Sequence, residues 1–237
     1  MSETLKVDKR FCGPPSSANG GYIAGLLSTH LVPSDDEAVE VTLKAPIPFD
    51  VNLDIHEING EVELRHVDLT VATARVVEFD LRAPTAPVDA AVLARSEISP
   101  LLVPATNHPA ANCFVCGPAR EVDDGMRLFP QRVSGTSNYQ VSWTVSEHGD
   151  EFIWAALDCP SSLGMYLAED PFFGPIVLGR ITGQVRGVPL VGDVCDVVSW
   201  REGVDGRKMF GAAALFAADG ECLAVARSTW IRVPQIS

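Results

Sequence analysis

Positive charge is scarce in this sequence of 237 residues: 18 Lys and Arg stand against 31 Asp and Glu, for a formal net charge of −13. That balance argues against a protein that tracks nucleic-acid phosphates, because such binding is driven by basic surface. Any anionic ligand has to be met by a local cation. Long apolar runs are missing as well. No stretch approaches the roughly 18 apolar residues of a membrane span, and the first ten residues, Met1 to Arg10, are charged where a secretory signal would be apolar. The expectation is a soluble, cytoplasmic protein with neither nucleic acid nor membrane as a partner. Cysteine is sparse too. The six cysteines are spread through the chain, which is too large to need disulfide staples, and a cytosolic setting keeps them reduced. Cys113-x-x-Cys116 has the spacing of half a zinc knuckle, but no second pair exists, and closing the site would take two more ligands such as His108 or His148. The expected reading is two loop thiols packed against Phe114 and Phe129, with no metal and no cofactor. Histidines 30, 56, 66, 108 and 148 show no ligand spacing.

What is present is apolar residue in quantity, 46% of the chain, enough for a large core in one big domain or two of about 120 residues. Residues 1 to 18 are polar and turn-rich. A first helix follows, with Asn19 as N-cap, Gly20 and Gly21 allowing close backbone approach, and Ile23, Leu26, Leu27 and Leu31 as its apolar face. Pro33-Ser-Asp-Asp36 stops it. From Val39 the period becomes two, through Val41 and Leu43, then Val51 to Ile55, Val62 to Leu64 and Ala72 to Val76, with Asn59-Gly60 as a hairpin signal. Prolines 84, 87, 100, 104 and 109 then break the pattern, with a short helix near Ala90 to Arg95, so residues 83–112 read as a crossing linker.

The second half begins at Cys113 and runs through an alternating strand at Tyr139 to Val145 to the stretch Ile153 to Leu167, which reads as a buried helix. Asp158 fits its N-cap and Pro160 its first turn. Cys159, Leu163, Tyr166 and Leu167 recur on one helical face, while Ser161, Ser162 and Gly164 keep the surface thin. Four strand-like runs follow, Ile176 to Val185, Val194 to Trp200, Lys208 to Phe216 and Leu223 to Val233, divided by turns such as Asp205-Gly206 and Asp219-Gly220. The order of elements therefore repeats. Ile47-Pro48-Phe49 lies over Val188-Pro189-Leu190, and Ala72-Thr-Ala-Arg75 over Ala224-Val-Ala-Arg227, as in a duplication. The expected organisation is an N-terminal unit at 1–82, a linker at 83–112 and a C-terminal unit at 113–237.

With Asn19-Gly20-Gly21-Tyr22-Ile23-Ala24-Gly25-Leu26 in the first copy, and Ala156-Leu157-Asp158, Pro189-Leu190-Val191-Gly192-Asp193 and Asp219-Gly220 in the second, the chain resembles the hotdog-fold thioesterases. In tandem form it looks like the acyl-CoA thioesterase II family. The resemblance implies an α+β protein of two hotdog folds, each a long helix wrapped by an antiparallel sheet, with an acyl-binding crevice between them. It implies an acyl-CoA or other acyl thioester as partner, hydrolysis as the reaction and a homodimer of such chains as an assembly. The family holds its attacking water with an Asp at the second helix entry, a Thr or Ser on the next strand and a Gln on the last strand. Asp158 matches the first. The second falls near Gly179, with Thr182 the hydroxyl close by, and the third falls on Ser228. The alternative is an acyl or acyl-CoA binding protein that has lost the hydrolytic set.

Each site residue has a plainer reading. Asp158 is either a general base or a simple cap that stabilises its helix by about 1 kcal/mol. Asn19, Gly20 and Gly21 either aim amide N–H groups at a carbonyl oxygen or permit helix-on-sheet packing. Arg207 and Lys208 either meet coenzyme A phosphates or sit as charges on a solvated hairpin. Cys159 stands at the expected helix start, where a thiol ionises more readily, yet no base is spelled out beside it.

Overall fold

The computed structural model describes residues 3–83, 86–93, 108, 110–169 and 176–233, with the backbone alone for 163–169. The first half contains β1 (Glu3–Leu5), α1 (Gly20–Ser28), β2 (Glu37–Leu43), β3 (Leu53–Ile58), β4 (Glu61–His66) and β5 (Leu69–Glu78). After the short α2 (Ala90–Leu93), the second half contains β6 (Gln131–Arg132), β7 (Tyr139–Thr144), α3 (Asp150–Glu169), β8 (Ile176–Val185), β9 (Val194–Asp205), β10 (Lys208–Phe216) and β11 (Cys222–Arg232). The expected sequence of a helix followed by antiparallel strands occurs in both halves. The short helix expected near Ala90 to Arg95 is α2 as far as Leu93, and its remainder, like most of the linker, lies outside the described residues.

The described strands form one antiparallel sheet in the order β1-β3-β4-β5-β2-β8-β11-β10-β9-β7-β6. Its two halves join where β2 pairs with β8, with Val41 opposite Ile181. Hairpins follow the turn residues. Asn59 and Gly60 both take positive φ, 52° and 80°, the conformation a two-residue turn between β3 and β4 requires. On one face the sheet carries both helices over a core that includes Ile23, Leu27, Val41, Leu64, Ile153, Leu157 and Ile181. Each such side chain stabilises the fold by about 1.5–3 kcal/mol through burial. The alternating residues Val198, Trp200, Ala212, Ala214, Phe216 and Val225 point to the other face, where Phe79, Leu81 and Ala83 cover them as the chain leaves β5.

The two helices meet backbone to backbone. A Cβ on Gly25 would lie 2.2 Å from Cα of Glu151, and one on Gly21 would lie 2.5 Å from the Trp154 carbonyl oxygen and from Cβ of Asp158. Gly21 and Gly25, four residues apart, are therefore one face of α1 pressed into the first two turns and a half of α3. The sequence shows the value of Gly21 for close approach; Gly25 emerges only from the helix crossing.

Helix α3 corrects the sequence reading. It starts at Asp150, eight residues before the expected cap, with Asp150 and Glu151 in its first turn, where carboxylates complement the helix dipole. Pro160 is inside the helix, not in its first turn. A proline there removes the N–H that would bond the Ala156 carbonyl. The following serines bond backwards in the same turn: Ser161 Oγ donates to the Asp158 carbonyl at 2.6 Å and Ser162 Oγ to the Cys159 carbonyl at 2.7 Å. The apolar Phe152 to Leu157, all buried, outweighs the proline penalty of about 3 kcal/mol.

Candidate functional site

Because α3 begins early, Asp158 cannot cap it. Its carboxylate reaches instead to the N-terminus of α1. Asp158 Oδ2 accepts the Gly21 backbone N–H at 2.9 Å and the Asn19 side-chain amide, also at 2.9 Å. Asn19 is the N-cap of α1, as its sequence context predicts, and its Oδ1 accepts the Tyr22 N–H at 2.9 Å. One asparagine thus satisfies its own helix with its oxygen and holds the carboxylate with its nitrogen. With Gly21 and Tyr22 engaged in this way, Gly20 supplies the helix-terminal N–H that neither Asp158 nor Asn19 takes up.

Asp158 is 1% exposed, and its other oxygen, Oδ1, is buried without a hydrogen-bond partner among the described residues. Burial pushes its pKa up to about 7, a rise the Gly21 and Asn19 donors moderate and a charge on Cys113 adds to. The neighbouring sulfurs form a cluster. Cys113, Cys116 and Cys159 are all buried with their Sγ atoms within 4.8 Å of one another, and Cys113 and Cys159 are 3.6 Å apart. The two neighbouring thiols of Cys116 and Cys159 hold Cys113 well below the usual thiol range, while Cys116 and Cys159 are pushed well above it. The same Asn19 amide that binds Asp158 lies 3.9 Å from Cys159 Sγ. The expected packing of Cys113 and Cys116 against aromatic rings therefore omits their main neighbour, a third sulfur 43 residues further along the sequence from Cys116.

Ser228 also reaches this interior. It lies on β11 opposite Ile181, is fully buried, and its Oγ has no partner among the described residues. Two residues on, and on the same face, Trp230 donates its indole N–H to Ser161 Oγ at 3.1 Å, the hydroxyl that bonds the Asp158 carbonyl. Thr182 does not join them. Strand alternation turns it to the outer face beside Glu40 and Arg227, while Ile181 faces the helices. Gly179 offers no replacement hydroxyl, and a Cβ there would meet Ile231. Arg207 and Lys208 are exposed at the turn between β9 and β10, and none of the hydrogen bonds around Asp158 involves them.

No family model and no curated protein matches the chain. Solved structures do match it. A conserved protein of unknown function with hot dog fold from Alicyclobacillus acidocaldarius aligns with a TM-score of 0.57 over 98% of this chain and 93% of that one, at 11% identity. The chain has a hotdog fold. Acyl-CoA thioesterase II TesB2 from Mycobacterium marinum is similar with a TM-score of 0.58, 10% identity and coverage of 98% and 93%. The pyran synthase domain from module nine of the sorangicin pathway is similar with a TM-score of 0.61, 13% identity and the same coverage. Proteins named for different reactions thus share this scaffold, and the choice of reaction has to be argued from the site.

Proposed function

We propose that the chain is a tandem hotdog protein that hydrolyses acyl thioesters, acyl-CoA being the substrate class, with Asp158 as the general base. The observation that carries this reading is the half-satisfied carboxylate of Asp158: one oxygen is clamped by Gly21 and Asn19, and the other is buried, has no partner among the described residues and can accept a proton. A carboxylate so oriented takes a proton from a water as that water adds to the thioester carbon. The oxyanion that forms falls to a donor at the positive end of α1, for which the Gly20 N–H is the available group, and the thiolate of coenzyme A leaves. Ser228 Oγ supplies a second polar contact for the water. The placement of Thr182 on the far face favours the other reading, an acyl-CoA binding protein without turnover, because one of the family's water-holding positions is then empty of a hydroxyl. Release of free thiol from a panel of acyl-CoA chain lengths, measured beside their binding, separates the two. Turnover that depends on Asp158 supports hydrolysis, and binding without thiol release overturns it.

A further inference from the structure

Three sulfur atoms that share ligand distances in a tetrahedral metal centre are about 3.8 Å apart when each metal–sulfur bond is about 2.3 Å. Cys113 and Cys159 stand 3.6 Å apart, and the trio with Cys116 lies within 4.8 Å. We propose that Cys113, Cys116 and Cys159 bind one zinc-class divalent cation through their three sulfurs, with a water in the fourth position.

The site is built on two segments. Cys113 to Cys116 is a tight turn closed by Gly117, whose N–H donates to the Cys113 carbonyl at 2.9 Å and whose place no other residue can take, since a Cβ would lie 2.5 Å from that same oxygen. The third sulfur comes from α3, held in line by the Asn19 amide. The buried oxygen Oδ1 of Asp158, one residue before Cys159, has no donor among the described residues and can accept from a metal-bound water. His108 is buried near Cys113 with no Nε2 partner among the described residues, but its Nδ1 accepts the Ala110 N–H at 3.1 Å. The neutral ring then carries its proton on Nε2, which is a donor and not a ligand. The cation would staple the 113–116 loop to the helix that bears Asp158. The proposal does not rest on hydrolysis.

The alternative for such a pair is a disulfide between Cys113 and Cys159, which needs the sulfurs to close to about 2.05 Å and leaves Cys116 aside. The test uses the full chain purified without chelator under reducing conditions. About one zinc per chain by elemental analysis is expected, and replacing it with Co2+ should give near-ultraviolet sulfur-to-cobalt charge-transfer bands. Cys113→Ser and Cys116→Ser should each weaken zinc binding by at least tenfold, whereas Cys195→Ser, a buried thiol on β9, should leave it unchanged. Because a variant can fail to fold, the cobalt spectrum of the unaltered chain decides. No charge-transfer band from the reduced protein overturns the proposal, and so does a mass two hydrogens short, the mark of a disulfide, in protein as isolated.

Discussion

Gly21 donates its backbone N–H to Asp158 Oδ2 at 2.9 Å, joining residues 137 positions apart. The bond ties the start of the first helix to the middle of the second, and a Cβ on Gly21 would collide with Asp158 itself. Close approach and the acid's orientation are therefore one feature.

The first prediction is that Asp158→Asn keeps the fold and lowers turnover by a factor of roughly 100 to 10,000, because an amide oxygen still accepts from Gly21 and Asn19 but cannot take a proton from water. Asp158→Ala leaves two buried donors unpaired, at a cost of about 1–3 kcal/mol each. Thiol release and urea midpoints of both variants check it. Equal turnover in wild type and Asp158→Asn would rule out the base.

At the helix crossing, Gly25→Ala should destabilise by more than about 1–3 kcal/mol, since the new methyl meets the Glu151 backbone and not a movable side chain. Gly20→Ala should cost less, because its neighbours are the ends of Leu43 and Leu178. The ordering of the two denaturant midpoints is the measurement.

Thr182→Val is expected to leave turnover unchanged, the residue being on the sheet face away from the helices. Ser228→Ala removes a buried hydroxyl on the face that meets α3 and should slow thiol release about tenfold, equivalent to roughly 1.4 kcal/mol. A Thr182 variant with the larger loss would show that the water is held on the other side of β8.

Arg10 pairs with both carboxylate oxygens of Glu147, at 2.7 and 3.1 Å, and its guanidinium lies over the Phe11 and Phe114 rings. Arg10→Gln should lower stability by about 1–2 kcal/mol, part from ring stacking and part from a half-exposed ion pair. Added salt should narrow the gap between variant and wild type, because only the charge pair is screened.

The sequence by itself determined the order of elements, because the change of hydrophobic period from 3.6 to 2 reports local geometry, and the Asn59-Gly60 turn reports a backbone conformation few other residues adopt. It also determined the cap at Asn19, a contact three residues long. Where α3 begins was hidden by Pro160, whose usual place in a first turn set the expected start at Asp158; burial of the preceding apolar turn decides the matter, and burial is a tertiary quantity. The same holds for the site. Asp158 stood out as a helix-terminal acid, but only the packing of α1 on α3 showed that the terminus it serves belongs to the other half of the chain. The third sulfur at Cys159 and the outward turn of Thr182 follow from helix crossing and strand register, which bring together or separate residues that lie far apart or close by in sequence.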